Sequence, residues 1–384
     1  MTGGTTHGSG SSASPTNRAA VAHVRAQAER NRPRDEGRIR NALRDGGLTA
    51  DVDELCAGLG SIGTLTINFH PDRIARDGRP VAGALLADGI YRSQFETGIS
   101  NGGLTARPGG DRDLWEQRLF GGAYQASGVS AAERPRYGGL DLLDLANGAC
   151  PRFGSCHLRL GAASLGRATF FVGDSVTLPD DGGVLDRLEA VLAGLLERVA
   201  EGDDLGRPLT VASLVDRLLD PGLQRFVPVM SHALDAFLEA QVHGRISLRD
   251  DVVEMVIDPS FRDSATGHAL LEAAYRYQVR VRWNAGSQLA VDEVPPEEPP
   301  VPEPRRWAAF CAAGRAAGLA QTVIDRFATD GRHLDAAALG LAAASVVREP
   351  GAWKPWHDPE DALTRLKDLW HILVVYGRAA EGGG

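Results

Sequence analysis

The chain has 384 residues, 43% of them hydrophobic, enough for a sizeable core spread over two or three units of about 100–200 residues each. A formal net charge of −9 speaks against general polyanion binding, although a local basic groove would escape that argument. Lysine occurs only at Lys354 and Lys367, which excludes a Walker phosphate loop and a Schiff-base lysine in the core.

Residues 1–17 are rich in Gly, Ser and Thr and read as a disordered tail. A helical preface is expected over 18–62. Its first helix should end near Pro33, because proline breaks the backbone ladder. Asp35 can cap a second helix that Gly46-Gly47 stops. Asp51 followed by Glu54 fits the cap of a third. Thr64–His70 then alternates strictly, with Leu65, Ile67 and Phe69 on one face and Thr66, Asn68 and His70 on the other, as a half-buried strand does. A helix from Pro80 to Asp88 stopped by Gly89, a strand over Ile90–Phe95 and an amphipathic helix around Leu114, Trp115 and Leu119 follow. Ser155–Leu160 and Ala168–Val172 read as strands, Val184–Ala200 and Thr210–Leu219 as helices, and Phe237–Val242 and Gln278–Trp283 as strands. The mixture predicts an α+β core over 63–289. Residues 290–305 form a Pro/Glu-rich linker, extended and semi-rigid. Beyond it, 306–384 reads as a C-terminal helical unit, with helices over Trp307–Val347 and Asp361–Tyr376.

The four cysteines, Cys56, Cys150, Cys156 and Cys311, form no C-x-x-C pair and read as reduced thiols. No apolar run reaches the ~18 residues of a membrane span. With no leader evident, the expected location is cytoplasmic, with non-classical export left open.

Three motifs invite a function and mostly fail on context. Gly58-Leu-Gly60-Ser-Ile-Gly63 matches G-x-G-x-x-G, but its order is helix then strand, the reverse of a dinucleotide fold. Gly98-Ile-Ser100-Asn-Gly102 matches G-x-S-x-G and follows a strand, yet no helix follows directly. Cys150, Cys156 and His157 have no common zinc spacing and no evident fourth ligand, so no metal is expected.

Several phrases are too unusual to be filler: N-F-H-P-D-R (Asn68–Arg73), Y-R-S-Q-F-E-T-G-I-S-N-G (Tyr91–Gly102), G-G-D-R-D-L-W-E (Gly109–Glu116), R-F-G-S-C-H (Arg152–His157) and A-Q-V-H-G (Ala240–Gly244). Together they resemble a bacterial family, the domain of unknown function numbered 3626, over most of Gly63–Gly286. The order of elements also resembles the ADP-ribosyltransferase superfamily. That resemblance implies a mixed-sheet core with N- and C-terminal helical additions, and NAD as the substrate cofactor. It implies an early strand that grips the cofactor, here through His70 with Arg73 or Arg92. Tyr91, Ser93 and Tyr124 would shape the nicotinamide side. A late strand would carry Glu239 as catalytic carboxylate with Gln241 beside it, followed by a helix near Asp250–Ile257. The superfamily often places its second polar residue two positions before the glutamate. Here Phe237 stands there, and the glutamine comes two positions after.

The chemistry fits those residue types. Glu239 and Gln241 share one strand face, and Leu238, Ala240 and Val242 the other. Cleavage of an N-glycosidic bond passes through an oxocarbenium-like state that a carboxylate can stabilise. Arginine or histidine can hold a diphosphate, and a tyrosine face can stack on nicotinamide. Each position also has a plain alternative: an ion pair for Glu239, a turn cap for His70, packing for Tyr91 and Tyr124, a solvated charge for Arg92. The expected function is therefore an ADP-ribosyltransferase-like enzyme that binds NAD and cleaves its nicotinamide bond, with an unknown acceptor such as a protein. A toxin or effector role follows only by analogy. The alternatives are a non-catalytic interaction protein on the same fold and a serine hydrolase using Ser100.

Overall fold

The computed structural model describes residues 14–99, 106–177, 180–202, 205–220, 222, 228–295, 310–311, 314–356 and 358–380. The expected tail, up to residue 13, and most of the expected linker lie outside the described residues, as does Ser100. Ser14 caps a helix that begins at Pro15 and runs unbroken to Asp45. The expected break at Pro33 does not occur, and Asp35 is a buried residue within the helix rather than a cap. Packing outweighs the proline: Ala20, Val24, Ala28, Ile39 and Leu43 are buried along the helix. Arg38 ties it to Asp181 at 2.6 Å and also pairs with Glu197 on the neighbouring Glu189–Ala200 helix. Asp51 does cap the next helix, Val52–Ile62, accepting from the Glu54 amide at 3.0 Å. Gly58 lies within that helix, where a Cβ would overlap the Leu218 backbone. The glycine motif thus serves close helix packing.

Twelve strands are described: β1 Thr64–Phe69, β2 Ile90–Tyr91, β3 Arg136–Asp141, β4 Cys156–Leu160, β5 Ala168–Val172, β6 Gly182–Val184, β7 Leu238–Val242, β8 Ile246–Ser247, β9 Val252–Ile257, β10 Arg280–Trp283, β11 Gln288–Ala290 and β12 His333–Asp335. Eight of them form one mixed sheet in the order β10-β9-β4-β1-β3-β7-β5-β6. All neighbours in it are antiparallel except β9 and β10, which the Ala265–Tyr277 helix connects. The fold is α+β, as the patterning predicts.

Four local expectations are corrected. The helix expected near Asp250–Ile257 is a single turn, Leu248–Asp251, followed by β9, whose Val-Val-Glu-Met-Val-Ile run pairs with β4. The strand expected over Ile90–Phe95 stops after Tyr91, because Ser93 and Glu96 form a capping box that starts the Gln94–Thr97 helix. The helix expected from Val184 begins at Glu189, after β6. The start of the expected linker is structured: residue 290 ends β11, and Val291–Glu293 makes one tight turn. The central strand β3 was not foreseen, since its sequence R-Y-G-G-L-D holds two glycines. A Cβ at Gly138 would overlap the Thr66 carbonyl, so glycine lets β1 and β3 lie close.

The C-terminal helices Arg315–Phe327, Ala336–Arg348 and Pro359–Tyr376 join the same apolar core as the sheet. Trp370 Nε1 donates to the Pro151 carbonyl at 3.0 Å, and His232 Nδ1 to the Val374 carbonyl at 2.8 Å. Among the described residues, no helix is long and apolar enough to cross a membrane.

Candidate functional site

A cavity of about 210 Å³ opens where the end of β1 and the starts of β3 and β7 meet the C-terminal helices. Chain segments far apart in sequence supply its walls. The exit of β1 brings Asn68, His70, Asp72 and Arg73, β2 brings Tyr91, and β3 brings Arg136 and Tyr137. The Asp111–Leu119 helix brings Arg112, the turn after β5 brings Asp174, and β7 brings Glu239. Gly340, Lys367 and Trp370 close it from the C-terminal side.

Glu239 is 4% exposed. Its Oε2 accepts from the Ser175 amide at 3.1 Å and its Oε1 from Gln241 Nε2 at 2.6 Å. Burial, reinforced by the Asp174 carboxylate, pushes its carboxyl up to about 7, while Arg112 pulls the other way. Arg112 is itself 8% exposed and packs over Tyr137 at 4.5 Å and Trp115 at 4.8 Å. Its Nη1 donates to Ser175 Oγ at 3.3 Å, and its Nε has no partner. Ser175 therefore touches both groups, through its amide and its hydroxyl. The Tyr137 hydroxyl donates to Glu116, which is ion-paired with Arg134 at 2.7 Å.

At the other end, the His70 ring meets Trp370 edge-on, with centroids 4.9 Å apart. Burial, with Arg73 and Lys367 nearby, pushes His70 down to about 3 and keeps it neutral. Asp72 is buried, pushed up to about 7 mainly by burial, and its Oδ2 has no partner. A Cβ at Gly340 would overlap that carboxylate, so glycine is what lets the Ala336–Arg348 helix approach so closely. Among the described residues the Arg73 side chain makes no hydrogen bond or ion pair, while its backbone amide donates to the His70 carbonyl and its carbonyl accepts from the Val81 amide. Burial lowers its affinity for a proton, and Asp72 opposes that effect. Asn68 faces the cavity while its amide donates to the Asn147 and Gly154 carbonyls, at 2.7 and 3.0 Å.

Of the residues singled out from the sequence, Glu239, His70, Arg73, Tyr91 and Arg92 line this one cavity. The Tyr91 ring packs on Phe69 at 5.9 Å. The Arg92 guanidinium is already held by Asp77, at 2.7 Å, and by Asp88. Ser93, Tyr124 and Gln241 do not line it. Ser93 is buried as a helix cap, and its hydroxyl donates to the Ala131 carbonyl at 2.7 Å. Tyr124 is 1% exposed, with its hydroxyl between Asn17 and His243. Gln241 is fully buried, its amide shared between Glu239 and Thr169. Arg112, Tyr137, Asp174, Lys367 and Trp370 were not singled out as ligands. The unusual phrase around Gly109–Glu116 held the signal for Arg112. Nothing local marks the others.

Among the described residues, no group of three or more His, Cys, Asp or Glu side chains could hold a metal ion. The arrangement suits a ring-bearing anion: guanidiniums for its charge, aromatic faces for its rings, and a carboxylate fixed by two donors. No curated protein matches the chain. Residues 64–376, which include the cavity and the C-terminal helices, match the family described as "Protein of unknown function (DUF3626)", and the chain belongs to that family.

Proposed function

We propose that the protein is an ADP-ribosyltransferase-like enzyme that binds NAD in this cavity and cleaves its nicotinamide glycosidic bond. The observation that carries the reading is the convergence of His70 and Arg73 after β1, Tyr91 on β2 and Glu239 on β7 on one cavity that also holds Arg112. Arg73 and Arg112 would grip the diphosphate. Tyr91, Tyr137 and Trp370 offer ring faces, and neutral His70 can donate to or accept from a ribose hydroxyl.

Glu239 would act in its ionised form. Its carboxylate accepts from a ribose hydroxyl and faces the positive charge that grows on the sugar as the C1′–N bond lengthens. The bonding pair leaves with the ring nitrogen, which turns the cationic pyridinium into neutral nicotinamide. An acceptor oxygen or nitrogen then bonds to C1′ and loses its proton, water being the simplest acceptor. The cationic ring placed near Glu239 would itself favour the ionised carboxylate.

A second reading, a non-catalytic interaction protein on the same fold, draws on one feature: both Glu239 oxygens already have donors within the protein. Titration calorimetry with NAD, on wild type and Glu239→Gln, followed by an assay for released nicotinamide, separates the two. Binding by both with release only by wild type supports the enzyme. No binding by either folded protein sinks it.

A further inference from the structure

Glu239 and Gln241 alternate on β7 and His243 follows directly, so all three side chains leave one face of the sheet. Thr169 on β5 stands opposite Gln241 in the register. With Tyr124 and Asn17 they form an unbroken run of hydrogen bonds. Gln241 Nε2 donates to Glu239 Oε1 at 2.6 Å. Thr169 Oγ1 donates to Gln241 Oε1 at 2.6 Å and meets His243 Nε2 at 3.1 Å. His243 Nδ1 lies 2.6 Å from the Tyr124 hydroxyl, which accepts from Asn17 Nδ2 at 3.1 Å.

The direction of each bond follows from the supply of protons. Thr169 has one hydroxyl proton and gives it to Gln241, so toward His243 it can only accept. His243 therefore carries its proton on Nε2, and its Nδ1 accepts from Tyr124. That assignment requires a neutral ring. Complete burial, with Arg167 nearby, pushes His243 down to about 3. Asn17 also donates to the Glu133 carbonyl at 2.7 Å, which anchors the far end. Every donor in the run points toward Glu239.

We propose that Gln241, Thr169, His243 and Tyr124 are positioning residues, a one-way hydrogen-bond chain that runs from Asn17 in the first helix and holds the Glu239 carboxylate. The inference rests on reading Glu239 as the working carboxylate of the cavity. A neutral chain suits that work, because it orients the carboxylate without a counter-charge to compete with positive charge on a substrate. Without the Thr169 hydroxyl, the Gln241 oxygen loses its donor and only the Glu239 carboxylate itself would orient the amide. The amide would then hold the carboxylate less firmly. The titratable and charged groups that also face Glu239 are Asp174, Arg112, Tyr137 and Cys150, and they are common to every variant below.

The test uses the full chain and begins with wild type. Nitrogen NMR of the His243 ring should show the Nε2–H tautomer with no titration between about pH 5.5 and 8. An Nδ1–H tautomer, or protonation in that range, overturns the chain. Next, the Glu239 carboxyl is titrated by carbon NMR in glutamate-labelled protein, with Glu239→Gln identifying its signal. Thr169→Val should raise the Glu239 midpoint by about one unit, roughly tenfold in proton affinity, and Thr169→Ser should restore it. An unchanged midpoint in folded Thr169→Val overturns the proposal. Should that variant not fold, Gln241→Met is read in the same way, and the wild-type tautomer decides in either case. Neither measurement uses NAD. A protein that passes both yet binds no NAD would sink the functional reading and leave the chain standing.

Discussion

The two sides of Glu239 are built differently. Toward the first helix, the bonds from Glu239 through Gln241, Thr169, His243 and Tyr124 to Asn17 are all 3.1 Å or shorter. Toward the cavity, Arg112 Nε, Asp72 Oδ2 and Gln94 Oε1 are buried without a partner. A buried polar group left unpaired costs about 1–3 kcal/mol. These three line one cavity, although other buried polar atoms without a partner, such as both ring nitrogens of His157, lie away from it. The satisfied side reads as scaffold, and the unsatisfied side as the surface that meets a ligand.

The comparison breaks most sharply at Glu239 itself. Glu239→Gln keeps the shape but offers one acceptor oxygen where the carboxylate offers two, and it should cut nicotinamide release by roughly 100–1000-fold, the scale for losing one electrostatic stabiliser of a transition state. NAD affinity, read by calorimetry, should change by less than about threefold. A proportional loss of binding and release would instead place Glu239 in ground-state recognition.

On the cavity side, Arg73→Ala removes a guanidinium that makes no hydrogen bond or ion pair among the described residues and feels the charge of nearby Asp72. It should weaken NAD binding by roughly 10–100-fold, the value of a charge-assisted hydrogen bond. The melting midpoint should hardly move, since no ion pair is lost.

Asp72 sharpens the comparison through pH. Its folded-state value is raised to about 7 from an ordinary 3.8. Between those values the native state keeps a proton that the unfolded chain has released, so stability falls as pH rises. Asp72→Asn should remove part of that fall, of the order of 1–4 kcal/mol between about pH 4 and 8. Denaturant unfolding at several pH values checks it. A slope remains in the variant, because burial also raises Glu116, Asp141, Asp258 and Glu239.

The smallest effect is expected at Arg92. It borders the cavity, but Asp77 and Asp88 already hold it near the surface. Arg92→Ala should cost less than about 1 kcal/mol and leave NAD affinity within about twofold, since a paired guanidinium has little left to offer a ligand. A large loss of affinity would mean that the pairs open on binding.

Elements written in local pattern were legible from the chain. The alternation of Thr64–His70 marked β1, Thr64–Phe69, because a period of two needs only the strand's own pleat, but inside the sheet its polar face is buried too rather than half-exposed. Asp51 and Gly89 marked helix ends through bonds and backbone angles within a few residues. Glu239 stood out as a carboxylate in mid-strand backed by an apolar row. Elsewhere distant packing overruled the local signal, as where the partners of the first helix carried it through Pro33. Nor could spacing tell that Tyr124 faces His243 while Trp370, more than a hundred residues beyond β7, closes the cavity over His70. Periodicity sets which way a side chain points from its own strand or helix. Which distant segment it then meets depends on how the sheet and helices stack, and that is why the cavity's far wall had no mark in the chain.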